Sequence, residues 1–410
     1  MRRIVEKLWI LFVARVLMSV GFSVSFPYLA LYLNKQRGVP MQWVGAMLAF
    51  NILASALSAA AGGALSDRLG RKPVMMIGLL SRCLVVFGMY LAVDAAAPFL
   101  VIAALHFGSS TLGALFDPAS SAWVADELPH QERVRAYSFM RTGGNLGWAI
   151  GPAIGGLSAG HAYAGLFLWT SVVYGLVSGL VFFFVRESAA RQAAVRFRLS
   201  EEFAALRDPK LRRLCIGTSL LGVTMAQLIA PLSLYAVRFG GLVEKQVGYL
   251  FSLNGGIVAL FQVGMVYLLR RRRLTTQLMW GSLLYAVGYA TVGFAQGFWP
   301  MAAAMVVITM GEITGAPAEQ ALAANIAPPD QRGRYIGAAA LAGQAGWALG
   351  PLGAGLLLDR FGPMKPSPYW LGVAVVALAA SAVFSTLRGL VADTEEGVEL
   401  EEPVELIPAI

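Results

Sequence analysis

Charged residues are scarce in this chain of 410 residues: only 13% are Asp, Glu, Lys or Arg, against about 25% in soluble domains. Hydrophobic residues make up 57%, above the roughly 45 to 50% of soluble domains. These proportions exclude a soluble globular fold. They predict an all-α membrane protein with many spanning helices.

Cysteine and histidine are also rare, with two and three residues respectively. Cys83 and Cys215 lie in apolar segments without the spacing of metal ligands, so neither a disulfide framework nor a Cys/His metal centre is expected. The glycine-rich stretches lie inside apolar segments, and no nucleotide fingerprint or nucleophile constellation occurs. We therefore expect no cofactor, no metal and no enzymatic activity. The net charge of +9 is interpreted as membrane sidedness, without nucleic-acid binding.

What the chain does contain is an internal repeat. Residues 145–156 read NLGWAIGPAIGG and residues 344–355 read QAGWALGPLGAG, so the Gly-Trp-Ala-x-Gly-Pro core returns 199 positions later. A half-length repeat in a hydrophobic chain predicts two homologous helical bundles around a central pathway, as in secondary transporters.

Twelve apolar segments are long enough to span hydrocarbon, which takes about 20 residues each. They are residues 8–33, 41–65, 74–93, 98–123, 137–159, 164–185, 213–236, 246–269, 276–296, 299–326, 334–357 and 368–387. The predicted domains are an N-terminal six-helix bundle (1–186), a cytoplasmic linker (187–212), a C-terminal six-helix bundle (213–388) and an acidic cytoplasmic tail (389–410). The linker is interpreted as a solvated tether or as an amphipathic interfacial helix.

The distribution of basic residues predicts the orientation. Of the 32 Lys and Arg residues, 23 fall on the termini and even-numbered connections and six on the opposite connections. The positive-inside rule then places both termini in the cytoplasm, in a multi-pass protein of the cell (inner or plasma) membrane. The tail from Asp393 to Glu405 contains seven acids and no base. We expect it to be disordered and to lie against the basic cytoplasmic loops.

The connection between the second and third spans carries a distinctive motif, GALSDRLGRKP, from Gly63 to Pro73. Gly70 permits a tight turn, and Pro73 suits the first turn of the next helix. Asp67 lies at a helix C-terminus, where the helix dipole disfavours an anion, so we expect a partner for it. The segment closely resembles the signature loop of the major facilitator superfamily. The resemblance covers essentially the whole chain and implies two six-helix bundles related by pseudo-two-fold symmetry.

The same resemblance implies a conformational latch. Its residues are Gly63, Asp67, Arg68, Gly70, Arg71, Lys72 and Asp117. Asp67 would contact the start of the eleventh span near residues 334–337, and Arg71 would pair with Asp117. Such a latch would hold the cytoplasmic side closed and favour an outward-open state.

The first copy of the repeat resembles the motif associated with antiporters of this superfamily, which favours export over import. Glycines at this spacing form a flat helix face, and a proline removes a backbone hydrogen bond. Close helix packing is therefore predicted for Gly147, Gly151, Pro152, Gly155, Gly156, Gly346, Gly350 and Pro351.

Six ionisable residues fall inside predicted spans: Asp117, Glu312, Glu319, Arg15, Arg82 and Arg141. Ionisable groups in a bilayer are functional candidates because their burial is unfavourable. Glu312, near the midplane, is predicted to be reversibly protonated, since burial favours the neutral carboxyl. A permanent ion pair with an Arg is the alternative.

Asp117, Glu319 and His106 are further candidates for proton coupling, although a packing role is open for His106. The three Arg residues are expected to form a gate network with Asp117 or to recognise substrate. Drug:proton antiporters of the superfamily usually carry an Arg in the fourth span, at a position held here by Ala104. This departure weakens the case for proton coupling.

The predicted cavity lining is apolar and aromatic with few polar groups. Its residues are Phe22, Phe26, Tyr32, Asn51, Arg141, Gln227, Tyr235 and Asn254. Such a lining suits amphipathic molecules rather than sugars. We therefore expect a monomer, surrounded by membrane lipid, that exports lipophilic or amphipathic drug-like molecules in exchange for protons. A lysophospholipid or lipid flippase and a metabolite transporter of the same fold are alternatives, as is a non-transporting sensor.

Overall fold

A computed structural model describes residues 2–128, 130–159, 162–188, 206–328, 331–364 and 366–397, where all regular structure is helical. The first seven helices are α1 (Arg2–Leu31), α2 (Met41–Leu69), α3 (Arg71–Asp94), α4 (Phe99–Gly113), α5 (Phe116–Glu127), α6 (His130–Ala159) and α7 (Tyr163–Phe184). The others are α8 (Pro209–Met225), α9 (Ala230–Arg238), α10 (Glu244–Leu269), α11 (Leu274–Phe294), α12 (Phe298–Asn325), α13 (Arg332–Phe361) and α14 (Pro368–Arg388). Most of the predicted linker lies outside the described residues.

Two of the predicted spans are interrupted rather than continuous. The fourth is divided into α4 and α5, and the seventh into α8 and α9, which are bent by 41° at their junction. A proline stands in the first turn of each second piece, Pro118 in α5 and Pro231 in α9. Because proline has no backbone N–H, the hydrogen bond that would continue the preceding helix is missing at both breaks.

The helices form a multi-pass membrane protein. Within the described residues, nine helices are long and apolar enough to cross a membrane when α4 and α5 are counted as one, or ten if α8 and α9 also form one span. The long helices α6 and α11 do not reach that threshold, so the predicted number of twelve spans is not confirmed. Large apolar side chains on the outside, such as Leu84 at 70% and Leu260 at 77% exposure, indicate a surface that faces lipid rather than water.

Helices from the two halves of the sequence meet along two seams. Within the first half, α1 packs against α6 and α7, and α3 packs against α4 and α7. Within the second half, α11 packs against α12 and α14, and α8 packs against α13 and α14. Between the halves, α6 packs against α10 and α2 packs against α13. These two seams enclose the centre of the molecule.

The two ends of the helix assembly differ in charge. One end, called here the basic face, carries Arg68 to Lys72, Arg186 and Arg270 to Arg273. The opposite face carries Lys35 and the pair formed by Arg238 and Asp359, whose atoms Nη1 and Oδ1 are 2.5 Å apart. The helix ends thus keep the charge asymmetry predicted from the sequence.

The acidic tail is ordered where it leaves α14. Asp393 pairs with Arg273 at 2.5 Å, and Glu395 pairs with Lys210 at 2.7 Å. The Glu396 carboxylate, fully buried, accepts hydrogen bonds from the backbone N–H and the hydroxyl of Thr275 in the first turn of α11. The prediction that the tail is disordered from Asp393 onward is therefore wrong for residues 393–397, because each of these carboxylates has a cationic or donor partner. Residues 398–410 lie outside the described part of the chain.

Replacement of Glu396 by Ala is expected to lower the stability of the protein by about 1–3 kcal/mol, because it leaves buried donors of Thr275 without an acceptor. Asp393→Asn is the matched control, since its exposed salt bridge contributes about 0–1 kcal/mol. Thermal unfolding in detergent should show the larger decrease for Glu396→Ala. Equal melting temperatures for the two variants would contradict a stabilising role of the hydrogen bonds between Glu396 and Thr275.

Candidate substrate cavity and gates

The glycines of the first repeat copy bring α6 against α1. A Cβ atom added to Gly151 would lie 1.9 Å from the Ser23 hydroxyl oxygen, and one added to Gly155 would lie 2.4 Å from the Val24 carbonyl oxygen. The Tyr28 hydroxyl donates a hydrogen bond to the Pro152 carbonyl at 2.6 Å. No larger residue fits at either glycine without separating the helices.

The remaining repeat positions also lie at close helix contacts. A Cβ atom on Gly147 would be 2.5 Å from that of Ser19, and one on Gly346 would be 2.0 Å from the Ser219 carbonyl oxygen. On Gly350, the added atom would be 2.5 Å from the Ala226 Cβ atom. The second copy therefore packs against α8 as the first packs against α1.

The seam between α6 and α10 is tight at the centre and toward the opposite face. A Cβ atom on Gly255 would lie 2.5 Å from the Ala149 Cα atom, and one on Gly248 would lie 2.5 Å from the Pro152 carbonyl oxygen. A Cβ atom on Gly156 would lie 3.0 Å from the Gly248 Cα atom. These backbones therefore touch, and no passage remains between them.

The seam between α2 and α13 is closed at the same face. A Cβ atom on Gly45 would be 2.3 Å from the Pro351 carbonyl oxygen, and one on Gly355 would be 2.6 Å from the Met41 carbonyl oxygen. Both contacts lie near the start of α2 and the end of α13. The second seam therefore closes the same side of the molecule as the first.

An ion pair joins the halves above these contacts. Lys35 Nζ lies 2.7 Å from Glu244 Oε1, and the Tyr163 hydroxyl donates to the same carboxylate oxygen at 3.2 Å. Lys35 and Tyr163 belong to the first half, whereas Glu244 begins α10 in the second. This bridge would have to break for the opposite face to open.

A central space lies between the seams and comprises three adjoining cavities of about 630, 420 and 220 Å³. The largest is lined by α1, α3, α5 and α6 and reaches toward the basic face through Ser121 and Val124. Asp117 lines it with a side chain that is 56% exposed. The second includes residues of both halves, and the third contains Glu312. The space is thus accessible from the basic face and closed at the other.

The tryptophans of the repeat line this space. Trp148 borders the first and third cavities, and Trp347 borders the second and third. From the sequence alone, this motif is predicted to serve helix packing only. The Trp of each repeat copy therefore contributes an aromatic wall to the central space. Because this Trp recurs in both copies together with the glycines, the sequence contained a signal for this role.

Two basic residues of the cavity have polar partners. Arg15 forms a salt bridge with Asp117. Arg141 donates to the Gln320 side chain at 3.1 Å, a contact that joins α6 to α12 across the central space. Arg15 thus contacts Asp117, as a gate network with this acid requires, whereas Arg141 contacts an amide of the second half.

Glu312 lies in the smallest cavity beside an amide. Asn254 Nδ2 donates to Glu312 Oε2 at 2.9 Å and to the Thr309 hydroxyl at 3.0 Å. Among the described residues, Glu312 takes part in no salt bridge. Glu319, two turns further along α12, is half-buried and does not line the three cavities. The alternative of a fixed ion pair between Glu312 and an Arg receives no support from these contacts.

A family model of the Major Facilitator Superfamily matches residues 11–281 and 214–408. The chain belongs to the major facilitator superfamily. Multidrug resistance protein MdtH of Yersinia enterocolitica is 26% identical over 375 residues, which cover 90% of this chain and 91% of that protein. A Na(+), Li(+), K(+)/H(+) antiporter of Planococcus maritimus is 24% identical over 367 residues, with coverages of 82% and 85%.

Among solved structures, a POT family transporter in complex with a thioalcohol conjugated peptide is similar, with a TM-score of 0.80 and 14% sequence identity. The match covers 93% of this chain and 96% of that one. At this identity the likeness shows a shared fold only. As a superfamily member with relatives named as transporters, the protein is not an enzyme.

The major facilitator signature loop forms a network within the first half. Arg71 donates to Asp67, to Asp126 at 3.0 Å and to the Ser66 hydroxyl at 2.9 Å. The predicted pair of Arg71 with Asp117 is therefore wrong. Asp117 lies nine residues before Asp126 in α5 and so about 13 Å deeper, where Arg15 binds it. Arg71 instead binds Asp126, which lies at the same level of the membrane as the loop.

Asp67 likewise differs from the expectation drawn from the family. In this structure its partner is Arg71, four residues on, rather than the start of α13 near residues 334–337. Among the described residues, the predicted latch contact between Asp67 and the second half is therefore not made. Arg68 is exposed, and Lys72 donates to the Phe182 carbonyl at 2.7 Å.

Glu187, which no sequence motif indicates, completes the hydrogen bonding of the loop. Its carboxylate accepts from the backbone N–H groups of Arg71 at 2.7 Å and Lys72 at 3.0 Å and so caps α3. Gly70 has a φ of +103°, and a Cβ atom there would lie 3.0 Å from the Glu187 carboxylate. Only glycine adopts this positive φ readily and also leaves room for the Glu187 carboxylate. By contrast, a Cβ atom on Gly63 would face open space.

Three predicted cavity residues lie outside the central space. Tyr32 donates to the Val93 carbonyl at 3.2 Å near the opposite face. Gln227 is buried and accepts a hydrogen bond from Tyr369, and Tyr235 packs edge-on against Trp370 with ring centroids 5.3 Å apart. The prediction that these three residues line the cavity is therefore wrong. Their polar groups and rings form contacts between helices instead.

The remaining predicted lining residues do border the central space. Phe22 and Arg141 line the first cavity, Phe22, Phe26 and Asn51 the second, and Asn254 the third. His106, predicted as a candidate for proton coupling, also lines the second cavity. His106 is 6% exposed, and its ring centroid lies 5.2 Å from that of Phe26. The space therefore combines an aromatic wall with a few buried polar groups.

Proposed function

We propose that this protein is a secondary active transporter that exports lipophilic or amphipathic small molecules by alternating access, in exchange for protons. The observation that carries the proposal is the central space, which is bounded by both halves, closed at one face and accessible from the other. This is one of the two states that alternating access requires. The proposal includes twelve spans in two pseudo-symmetric bundles, with α6 and α11 among them.

The direction of transport follows from charge. The excess of Lys and Arg at the basic face supports a cytoplasmic location of that face in the cell membrane, with both termini inside. The accessible cavity then faces the cytoplasm, where an exporter loads its cargo. The similarity to a protein named for multidrug resistance supports export.

The lining supports an amphipathic cargo. Phe22, Phe26, Trp148 and Trp347 supply aromatic surface around the central space. The second and largest cavities together offer room for a drug-sized molecule, for which pockets of about 300–1,000 Å³ are usual. A sugar would require more hydrogen-bonding groups than this wall presents.

Proton exchange is assigned to Glu312. An amide such as that of Asn254 can hydrogen-bond to either protonation state of a carboxyl group, because it contains both a donor and an acceptor. Glu312 is held by this hydrogen bond rather than by a salt bridge among the described residues, which leaves the carboxyl group able to take up a proton. Competition between proton and substrate at one central space is the simplest coupling, and the similarity to a cation/H(+) antiporter supports it.

The test is Glu312→Gln in proteoliposomes with an imposed proton gradient and a lipophilic fluorescent dye. The variant should lose most gradient-driven flux and the pH dependence of transport, while exchange of dye across the membrane without a gradient persists. Glu319→Gln, two turns away on α12, is the comparison and should keep the gradient response. Intact transport with intact pH dependence in Glu312→Gln would overturn the coupling assignment.

A lipid flippase is a second candidate because of a side groove. A further cavity of about 350 Å³ opens between α2 and α4, lined by Trp43, Phe50 and Phe107. Asn51 lines both this groove and the second central cavity. A lipid could enter from the bilayer along this path. Competition of lysophospholipids against dye transport would favour this candidate, whereas dye transport unaffected by lipid would exclude it.

A further inference from the structure

The side chain of Arg82 lies in the central space, in contact with three aromatic rings. Its Cζ atom lies 4.8 Å from the ring centroid of Tyr174, 5.6 Å from that of Phe22 and 5.8 Å from that of Phe26. The side chain borders both of the larger cavities. Cation–π contacts hold the guanidinium in place through its charge. They leave the N–H groups in its plane available to a ligand.

A glycine makes room for this side chain. A Cβ atom on Gly113 would lie 2.6 Å from Arg82 Cδ and 2.8 Å from Arg82 Nη1. Any other residue at this position in α4 would displace the guanidinium. The chain therefore leaves space for a cation at one defined place in the cavity.

No acid neutralises Arg82 within the described residues. The cavity's carboxylate, Asp117, is paired with Arg15, and Arg82 takes part in no hydrogen bond or salt bridge there. Arg141, by contrast, is hydrogen-bonded to Gln320. A partly buried cation without an anion is unfavourable unless a ligand supplies the charge.

Two further nitrogen atoms in the same cavity lack partners. Asn51 is 4% exposed and His106 is 6% exposed, and both line the second cavity with Arg82. Asn51 Nδ2, His106 Nδ1 and Arg82 Nε are buried and have no hydrogen-bond partner among the residues that the structure describes. Buried polar atoms are nearly always satisfied, so a cluster of three indicates a ligand or solvent site.

We propose that Arg82, Asn51 and His106 form an anion subsite that binds the oxyanion head of an amphipathic substrate, such as an organic carboxylate. The apolar part of the substrate would lie along Phe22 and Phe26. A guanidinium is suited to a carboxylate because its N–H groups can bind both oxygens. The subsite rests on the proposed transport function and names its substrate class: organic anions with an aromatic or alkyl body.

The experiment uses three probes with one apolar body: pyrenebutyrate, pyrenebutanol and pyrenebutylamine. Their binding to the full chain in lipid nanodiscs is measured by fluorescence anisotropy. The wild-type protein should bind the carboxylate most tightly. Arg82→Gln should weaken its binding about tenfold or more and change that of the alcohol by less than about threefold. The exposed Arg388→Gln, with the same loss of charge, should change neither.

A second variant guards against misfolding. Gly113→Ala keeps the Arg82 charge but displaces the guanidinium, so it should weaken binding of the carboxylate selectively. Equal weakening of the carboxylate and the alcohol in both variants would overturn the proposal in favour of packing. Tightest binding of the amine, or binding of none of the probes, would also overturn it.

The source of the anion is decided by competition. Displacement of pyrenebutyrate by lysophosphatidate would support an oxyanion subsite that accepts a lipid headgroup, and its absence would support a subsite for water-soluble organic anions. Dye flux driven by a proton gradient is measured separately. If that flux persists without any preference for the carboxylate, the anion subsite is wrong and the proposed transport function stands.

Discussion

A methyl group placed on Gly255 should reduce transport about tenfold or more while leaving the protein folded. The added Cβ atom would lie 2.5 Å from the Ala149 Cα atom, which is backbone and cannot rotate away. The overlap is relieved only if α6 and α10 separate, and that separation opens the opposite face. A clash of about 1–3 kcal/mol would shift the balance of conformations by roughly 5- to 150-fold. Transport needs both conformations, so a strong bias toward one slows the cycle.

Gly256→Ala provides the matched control, because its added atom would meet nothing within 4 Å. Spin labels on Gln36→Cys and Val243→Cys report the distance between the halves at the opposite face. The background carries Cys83→Ser and Cys215→Ser. The label distance should lengthen in Gly255→Ala and stay at the wild-type value in Gly256→Ala. Wild-type transport and distance in Gly255→Ala would show that this seam does not govern closure.

The close helix approaches were predictable from the sequence, but their partners were not. Spacing of four residues puts Gly147, Gly151 and Gly155 on one helix face, which predicts a nearby backbone. The structure sets that face against α1, whereas the adjacent Gly156 meets Gly248 of α10. Periodicity along one helix defines a face and contains no information about which helix covers it.

For the buried charges too, the residues were predictable from the sequence but their partners were not. Hydropathy alone identified Asp117 and Arg15 as ionisable residues inside the apolar segments. Their pairing depends on depth, which is set by how α1 and α5 pack, and no local pattern gives it. Asp126 was overlooked because it lies at the end of a helix, where an acid is unremarkable. The structure nevertheless makes it a buried partner of Arg71.

The cavity was predicted only in part because polarity has two uses inside a membrane. Asn51 and Gln227 look alike in the sequence, each an amide in an apolar helix. Gln227 binds Tyr369 and the backbone of Val223, whereas Asn51 keeps a nitrogen without a partner beside the central space. Which of two amides is available to a ligand is decided by neighbours that are distant in sequence.

Arg71→Met is expected to destabilise the protein by about 3–5 kcal/mol, since it leaves a buried carboxylate without its counter-charge. The side chain of Asp126 is 1% exposed and that of Arg71 is 7% exposed. Combined with Asp126→Asn, much of the loss should be recovered, because the more deeply buried of the two carboxylates that Arg71 binds is then neutral, whereas Asp67 is 21% exposed. Arg68→Met, an exposed neighbour with the same change of chemistry, should alter stability by less than about 0.5 kcal/mol.

These variants, together with Asp126→Asn alone, separate a structural network from a latch. Unfolding in mixed detergent gives their free energies of unfolding, and the cycle of wild type, both single variants and the double variant gives the coupling between Arg71 and Asp126. A network that stabilises the first half predicts a large loss in Arg71→Met that is rescued by Asp126→Asn. A loop that acts only as a latch between conformations predicts unchanged stability together with altered transport. Rescue is the decisive measurement, because a general packing defect at position 71 would persist when the neighbouring carboxylate is neutralised.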